Sequence, residues 1–403
     1  MAAPFLSRLL LAAACVAAPL AAGCASGPEP LVLSEEERRS APTLRIGDPA
    51  PPLVISEWLQ GEPIGELGGG RAVLVDFWAS WCAPCVASFE RTSRLADRHP
   101  GSLQVVMITS LDMENSLGAI RRTMGEEAQH LRAVVAVDDG YRTADAYRRA
   151  SRESALPRSF LIDQQGRIAW IGHPAFAEGP VEAVINGTWD LAAARQADGE
   201  LRQYRQHADQ LRQAIDDARA RGDDDAMLAA MRERAALDHE KLDVDLPYAP
   251  VRLYANALQA AGRCDDGIAV ARETAISGRF DSDPDALVWL SGELVGADRA
   301  LAITLLDRGL GQLTADEEAL TRPGDDPWVN YMLATTIRRR GETYERAARI
   351  CDSLARHADA VHWQRYAVAR SDAWWDKEHL ARRTGMLRVY EERAEAEVVG
   401  FAD

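Results

Sequence analysis

The stretch at residues 73–85 constrains the fold of this chain more than any other. It begins with the apolar run Val73-Leu74-Val75, which is typical of a strand buried on both faces. It ends in Cys82-Ala83-Pro84-Cys85, whose two cysteines would lie on neighbouring positions of one helix face. A thiol at a helix N-terminus meets unpaired backbone N–H groups and the positive end of the helix dipole, which favour the thiolate. The stretch therefore predicts a strand, a turn and a helix, with Cys82 as a nucleophile and Cys85 placed to resolve a mixed disulfide.

A Cys-x-x-Cys pair has two other interpretations, half of a zinc site or an inert structural disulfide. Tetrahedral zinc requires four ligands, and beyond the N-terminal segment the sequence offers only Cys264 and Cys351. A disulfide across three residues closes a very small loop and so restricts the unfolded chain little. Dithiol–disulfide exchange is therefore the favoured hypothesis, and the other two stay as alternatives. Cys264 and Cys351 are predicted to be buried as small apolar side chains.

The length and charge of the chain limit the remaining possibilities. A chain of 403 residues predicts two or three domains. The formal net charge of −16 argues against non-specific binding to nucleic acid, which needs a basic surface. The proportions of 47% hydrophobic and 27% charged residues are ordinary for a soluble globular protein.

Residues 1–24 have the pattern of a signal peptide. Arg8 precedes an apolar, alanine-rich segment that is too short to be a good membrane span. The segment ends in Leu20-Ala21-Ala22-Gly23-Cys24, which resembles a bacterial lipoprotein processing site with Cys24 as the lipidated residue. Ordinary signal cleavage nearby is the alternative. Residues 25–45 are predicted to form a flexible tether. Because of the signal peptide, we expect an exported protein of the periplasm or cell envelope. It would be attached to the membrane through the lipid on Cys24 alone.

Residues 46–190 alternate short apolar strands with helices and finish in a strand hairpin. After the first strand, further strands are predicted at residues 103–109, 133–137, 160–163 and 168–171. This order predicts an α/β sandwich with a mixed central sheet. A short separate hairpin is predicted before it, from residues 53–55 and a turn at residues 60–63.

The segment Phe77-Trp78-Ala79-Ser80-Trp81-Cys82-Ala83-Pro84-Cys85, followed later by Leu156-Pro157, resembles proteins of the thioredoxin fold. More narrowly it resembles the TlpA-like thiol–disulfide oxidoreductases of the cell envelope. The resemblance implies that Cys82 attacks and Cys85 resolves. It also implies that Pro157 forms a cis peptide bond against the disulfide. Substrate would then bind along Trp81, Ala83, Pro84 and the backbone of Leu156.

Asp76 matches the buried acid of thioredoxin in this comparison. Burial would raise its pKa and make it a candidate proton relay for Cys85. The alternative is a strand-end aspartate satisfied by water or backbone. Two departures from related proteins concern the helix after the cysteines: Ser88 stands where a carboxylate is frequent, and Glu90 stands where a helix-kinking proline is frequent. His173, before Pro174, is interpreted as structural rather than as a base.

Residues 191–403 have a different character. They are rich in alanine, arginine, leucine and acidic residues, with almost no strand pattern. Around Gly262 and again around Gly341, small residues flank a glycine turn in a pattern that resembles a tetratricopeptide (TPR) hairpin. Stacked helix pairs leave a concave surface suited to protein recognition. We therefore predict an all-α, TPR-like domain that binds a protein partner.

These observations combine into one leading hypothesis, an extracytoplasmic thiol–disulfide oxidoreductase. We expect no bound cofactor or metal, because the redox-active disulfide Cys82–Cys85 itself holds the electrons. The implied partners are protein thiol or disulfide substrates, an upstream thiol reductant such as a membrane reductase, and a protein on the helical half. Two alternatives stand beside it: a non-catalytic envelope adaptor, and a metal-delivery protein that uses the cysteine pair.

Overall fold

The computed structural model describes residues 43–127, 131–237, 248–322, 324, 326–371 and 377–400. The predicted signal peptide, Cys24 and most of the predicted tether lie outside these residues.

The N-terminal half is built on a six-stranded mixed sheet. Its strands are β1 Ile55–Gln60, β2 Ala72–Trp78, β3 Leu103–Thr109, β4 Val134–Asp138, β5 Arg158–Ile162 and β6 Ile168–Gly172. Their order across the sheet is β1-β4-β3-β2-β5-β6. The central strands β2, β3 and β4 are parallel, whereas β1, β5 and β6 each run antiparallel to their neighbours. The prediction of an α/β sandwich with a mixed sheet is confirmed.

Helices cover both faces of this sheet. They are α1 Ala83–Arg98, α2 Leu117–Glu126, the short α3 Arg142–Ala144 continued by a π-helical turn at Asp145–Arg149, and α4 Glu178–Ile185. Leu74 and Trp78 of β2 lie in the core layer that contains Phe89 of α1, while Phe77 lies in the opposite layer with Tyr147. Because alternate residues of a strand point to opposite faces, β2 is apolar almost throughout.

The first strand corrects one prediction. The sequence predicts a separate hairpin near residues 53–63, but β1 pairs antiparallel with β4 at the sheet edge, with Trp58 opposite Ala136. Local turn residues could not indicate this pairing, because β4 lies far along the chain and only the completed sheet brings the two strands together.

The C-terminal half is helical, as predicted. Its helices are α5 Leu191–Arg221, α6 Asp224–Ala236, α7 Ala249–Ala260, α8 Cys264–Ser277, α9 Pro284–Leu294, α10 Arg299–Thr321, α11 Pro327–Arg339, α12 Gly341–Ser353, α13 His357–Ala369 and α14 Lys377–Gly400. Asp190 caps the start of α5 by accepting a hydrogen bond from the Ala193 backbone N–H. Gly222 ends α5 in the left-handed conformation, at φ 68°. No helix in the described part of the chain is both long enough and apolar enough to span a membrane.

Consecutive helices of this half pack as pairs, with α7 against α8, α9 against α10 and α12 against α13. The hairpin predicted around Gly341 would pair α11 with α12, but these two helices contact each other only slightly and that pairing is wrong. A side chain at Gly267 of α8 would place its Cβ 3.0 Å from the carbonyl oxygen of Ala255 in α7, so glycine permits this close approach. Paired packing agrees with the helical prediction, and its TPR-like character stays a prediction.

The two free cysteines among the described residues differ in environment. Cys351 is buried in α12, as predicted, but Cys264 is exposed, and the prediction for it is wrong. Cys264 is the first residue of α8, and Asp265 and Asp266 beside it are also exposed. Whether the first residue of a helix is exposed depends on how that helix packs against its neighbours, which the sequence around Cys264 does not show.

The helical half packs directly against the helix that follows the cysteines. α11 contacts α1, and Nη1 of Arg91 lies 3.2 Å from Oδ2 of Asp326. The ring of Trp328 lies 4.2 Å from the ring of His173, measured between centroids. His173 Nδ1 also accepts a hydrogen bond from the Ala175 backbone N–H. These contacts favour the structural interpretation of His173.

Candidate active site

Cys82 and Cys85 form a disulfide at the start of α1. Cys82 is the N-cap residue, and its Sγ accepts a hydrogen bond from the Cys85 backbone N–H at 3.3 Å. The first turn of α1 contains no acidic residue to oppose a negative charge there. Both the N–H donor and the helix dipole stabilise a Cys82 thiolate once the disulfide is reduced. The geometry therefore suits Cys82 to the nucleophilic role.

The residues around the disulfide differ in how far they reach solvent. Cys82 is 4% exposed and Cys85 1%, so Cys85 lies deeper. Trp81 is 44% exposed, Ala83 is exposed, and Pro84 is half-buried. Trp81 and Ala83 are thus available to an approaching substrate on either side of Cys82.

The predicted proline loop lies at the same end of the sheet. The Leu156–Pro157 peptide is cis, as the resemblance implies. β5 starts at the next residue and pairs with β2, so that Arg158 lies opposite Phe77. Extending this register by one position sets Pro157 opposite Trp78, where β2 ends and the turn towards Cys82 begins. Pro157 is buried, and Leu156 is half-buried against the cores of both sheet faces.

Asp76 is fully buried within β2. Its Oδ1 accepts a hydrogen bond from the Ser159 hydroxyl at 2.7 Å, and its Oδ2 is buried with no hydrogen-bond partner among the described residues. Burial raises the pKa of Asp76 to about 7, and the Ser159 hydrogen bond opposes that rise. Strand alternation places Asp76 on the face of Leu74 and Trp78, whose core layer also contains Cys85. A carboxyl that titrates near neutral pH in this layer can exchange a proton during catalysis.

Ser159 is a site residue that the sequence did not reveal. Its pairing with Asp76 depends on the β5–β2 register, in which the two residues are opposite each other. Ser88 is also buried, and its hydroxyl donates a hydrogen bond to the Cys85 carbonyl oxygen at 2.7 Å. The position where related proteins frequently have a carboxylate therefore holds a neutral group bonded within the helix.

Asn115 is a second residue that the sequence did not reveal. It is fully buried, and its Oδ1 accepts hydrogen bonds from the Ser80 backbone N–H at 2.8 Å and the Ser80 hydroxyl at 2.7 Å. Its Nδ2 donates to the Thr109 hydroxyl at 2.7 Å and to the Ser110 carbonyl oxygen at 2.6 Å. Because β2 and β3 are parallel and both end here, one amide can tie together the loops that follow them. Asn115 thus holds the turn that leads into Trp81 and Cys82.

Replacing Asn115 with alanine is expected to lower the free energy of unfolding by about 2 kcal/mol, because the half-buried Ser80 and the buried Thr109 lose their hydrogen-bond partner. Hydrogen exchange at the Ser80 amide should become about 30-fold faster if opening follows that loss. Asn186→Ala, at the exposed end of α4, is the matched control and should change neither quantity. Unchanged exchange at Ser80 in the Asn115 variant would contradict the proposed clamp.

The loop held by Asn115 adds apolar surface beside the disulfide. Leu111 is 45% exposed and Met113 is 88% exposed. Both follow β3. They therefore lie at the end of the parallel strands where β2 leads into the exposed Trp81. Apolar side chains grouped in this way at a reactive disulfide are typical of a surface that meets another protein.

Comparison with known proteins agrees with this geometry. The Redoxin family model matches residues 47–185. The chain is 30% identical over 127 residues to the thiol-disulfide oxidoreductase ResA of Bacillus thuringiensis (strain Al Hakam), covering 31% of this chain and 68% of that protein. It is 21% identical over 154 residues to the protein FixW of Rhizobium leguminosarum, covering 37% of this chain and 70% of that one.

A further similarity links the chain to the thiol:disulfide interchange protein DsbE homolog of Paracoccus denitrificans, at 32% identity over 95 residues, covering 24% of this chain and 46% of that one. The matched family region includes the Cys82–Cys85 disulfide, Asp76 and the cis proline at 157. The chain belongs to the redoxin family of thiol–disulfide oxidoreductases.

Proposed function

We propose that this protein is an exported, lipid-anchored thiol–disulfide oxidoreductase that exchanges disulfides with protein substrates. The observation that supports it best is the Cys82–Cys85 disulfide at the start of α1, where a backbone N–H already points at the Cys82 sulfur. Trp81 next to Cys82, and Met113 in the loop that follows β3, are exposed apolar groups that favour a protein as the substrate.

In the reductive direction the reaction has two steps. The Cys82 thiolate attacks one sulfur of the substrate disulfide, a mixed disulfide forms, and the first substrate thiolate leaves and takes a proton. Cys85 then gives its proton to the Asp76 carboxylate and attacks the Cys82 sulfur, and the second substrate sulfur leaves as a thiolate that takes a proton from Asp76 or from solvent. Two electrons pass from the protein dithiol to the substrate, and Cys82 and Cys85 return to the disulfide. Pro157 aligns the substrate chain, with Leu156 and Pro84 at its sides.

Repeated turnover in this direction needs a thiol donor that reduces Cys82–Cys85 again. We propose another thiol protein for this role, such as a membrane reductase. The helical half would hold one of these partners, since α11 packs against α1, the helix that follows the cysteines.

The adaptor alternative is favoured by that same packing, because a helical array could bind partners while the N-terminal half serves for docking alone. The exchange proposal explains more of the site, since an adaptor has no need of a buried carboxyl titrating near neutral pH below the disulfide. Metal delivery would use the same two sulfurs as thiolates, in the reduced form of the pair.

The test is reduction of insulin by the full exported protein with dithiothreitol as the electron donor, together with a glutathione redox titration of Cys82–Cys85. We expect insulin precipitation well above the rate with dithiothreitol alone, and a two-electron transition in the titration. Insulin reduction equal to the background, with the protein still bound to its partners, would favour the adaptor. Tight zinc or copper binding without exchange would favour metal delivery.

The proposed anchor is tested in a bacterial host that processes lipoproteins. Because the lipid would be attached to the Cys24 sulfur, we expect the wild-type chain to incorporate labelled palmitate and to stay with the membrane fraction. Cys24→Ala should do neither, while Cys15→Ala, in the same segment, should behave as wild type. Labelling that persists in Cys24→Ala would contradict lipidation at this residue.

A further inference from the structure

A groove of about 430 Å³ is lined by Trp81 and Ala83, the two residues on either side of Cys82 in the chain. It lies between the start of α1, the end of α2 and the start of α11 in the helical half. Its walls are formed by Ser80, Trp81, Ala83, Val86, Ala87, Glu90, Thr123, Glu126, Glu127 and Pro327.

The floor of the groove is apolar and leads away from the reactive sulfur. Ala83, Val86 and Ala87 follow the i, i+3, i+4 spacing that forms one stripe along a helix, and Glu90 ends this stripe at i+7, where the floor meets the rim. This stripe begins at the residue after Cys82, and Trp81 stands exposed at its start. A chain segment attached to the substrate sulfur can therefore extend along α1 within the groove.

The rim of the groove is acidic. Glu90, Glu126 and Glu127 contribute three carboxylates, and among the described residues that form the wall there is no lysine, arginine or histidine. Of the nearby arginines, Arg94 pairs with Glu90 across one helical turn, and Arg91 pairs with Asp326 of the helical half. Glu126 is the last residue of α2 and Glu127 follows it directly, so both carboxylates lie at the same end of the groove. The exposed indole face of Trp81 also favours a cation.

Helix and strand dimensions set the reach of such a contact. Eight residues of helix separate Cys82 from Glu90, or about 12 Å along the axis of α1. An extended peptide covers that length in about three or four residues. A substrate bonded to Cys82 would therefore bring its third or fourth residue beyond the cysteine to the acidic rim.

We infer that this groove selects protein substrates with a lysine or arginine three or four residues from the exchanging cysteine. The charge of the rim, the apolar floor and the position of the groove at Trp81 and Ala83, which flank Cys82, point to this one occupant. The inference rests on the proposed function, since it describes the substrate of the same site. It also gives the helical half a direct part in recognition, because Pro327 closes one wall.

The test uses three cystine-linked peptide dimers that differ at the fourth residue after cysteine, which is arginine, glutamine or glutamate. The reduced full-length protein is mixed with each peptide. The protein dithiol is oxidised to the Cys82–Cys85 disulfide while the cystine takes two electrons and two protons to become two peptide thiols. Tryptophan fluorescence follows single turnovers, which give kcat/KM for each peptide at low and high salt.

We expect the wild-type protein to prefer the arginine peptide over the glutamine peptide by about fivefold at low salt, the range for a few exposed charge pairs. The glutamate peptide should be slower than both, and 0.5 M sodium chloride should remove most of the difference. The double variant Glu126→Gln, Glu127→Gln should bring the arginine-to-glutamine ratio close to one.

Glu62→Gln, Glu66→Gln is the matched control, with the same change of charge. Both residues are exposed in the loop after β1, at the end of the strands opposite the turn that carries the disulfide. This variant should keep the fivefold ratio. Equal rates with all three peptides, or a ratio unaffected by the Glu126 and Glu127 changes, would overturn the groove inference while the proposed function stands. No exchange with any peptide would overturn the proposed function itself.

Discussion

Cys82→Ser is expected to lower insulin-reduction activity by at least about 1,000-fold, the scale of loss when a catalytic nucleophile is removed. A serine hydroxyl does not ionise at neutral pH and forms no disulfide, so neither the N–H donor at 3.3 Å nor the helix dipole can compensate. The rate of insulin reduction with dithiothreitol as the electron donor, measured for the variant and the wild type, gives the size of the loss. Cys264→Ser is the matched control because Cys264 is free and exposed in α8, and it should retain wild-type activity.

Cys85→Ser tests the order of the two steps. Cys82 can still attack, but nothing resolves the product, so we expect a stable mixed disulfide between Cys82 and the substrate. The adduct should be visible as a mass increase that dithiothreitol reverses. Adducts formed by Cys82→Ser instead of Cys85→Ser would show that the two cysteines have the opposite roles. The burial of Cys85 and the helix-end position of Cys82 argue for the order stated here.

Asp76→Asn is expected to stabilise the oxidised protein at pH 8 by about 4 kcal/mol and to have little effect at pH 4. Burial raises the pKa of Asp76 from 3.8 to about 7, and each pKa unit corresponds to about 1.4 kcal/mol. Between these two values the folded carboxyl keeps its proton while the unfolded one loses it. The unfolded state therefore binds fewer protons, and stability falls as pH rises through this window. Asparagine stays neutral and can still accept the Ser159 hydrogen bond.

Hydrogen exchange of the β2 amides measures the change in stability within the N-terminal half. Urea unfolding measures it for the whole chain. Glu62→Gln, at an exposed position, is the control and should follow the wild-type pH dependence. The same Asp76 variant should release substrate from the mixed disulfide about 100-fold more slowly near pH 7, the range for loss of a general base. A wild-type pH dependence in Asp76→Asn would refute both the raised pKa and the proton relay.

Local sequence was sufficient for the parts of the site that are close together along the chain. The apolar run in β2, the turn and the Cys82–Cys85 pair follow one another directly, so strand, helix start and disulfide are all visible in one stretch. The resemblance added Pro157 and Asp76 because their positions relative to that stretch are typical of the fold. The helical nature of the C-terminal half followed from its composition and spacing.

The contacts between distant segments were not predictable in this way. Ser159 reaches Asp76 through an antiparallel strand pairing, and Asn115 reaches Ser80 because two parallel strands end side by side. The exposure of Cys264 and the pairing of β1 with β4 likewise depend on packing between elements far apart in sequence. No periodic pattern within one segment indicates which partner it will meet.

The sequence by itself therefore determined the reactive pair, the α/β class around it and the helical class of the second half, because each depends on residues that are neighbours along the chain. The tertiary structure alone decided what surrounds that pair. It buried Asp76 against Ser159, tied the cysteine turn to Asn115, and closed an acidic groove with Pro327 from the helical half. The physical reason is that desolvation, hydrogen bonding and groove shape depend on which surfaces meet, and only the folded chain brings those surfaces together.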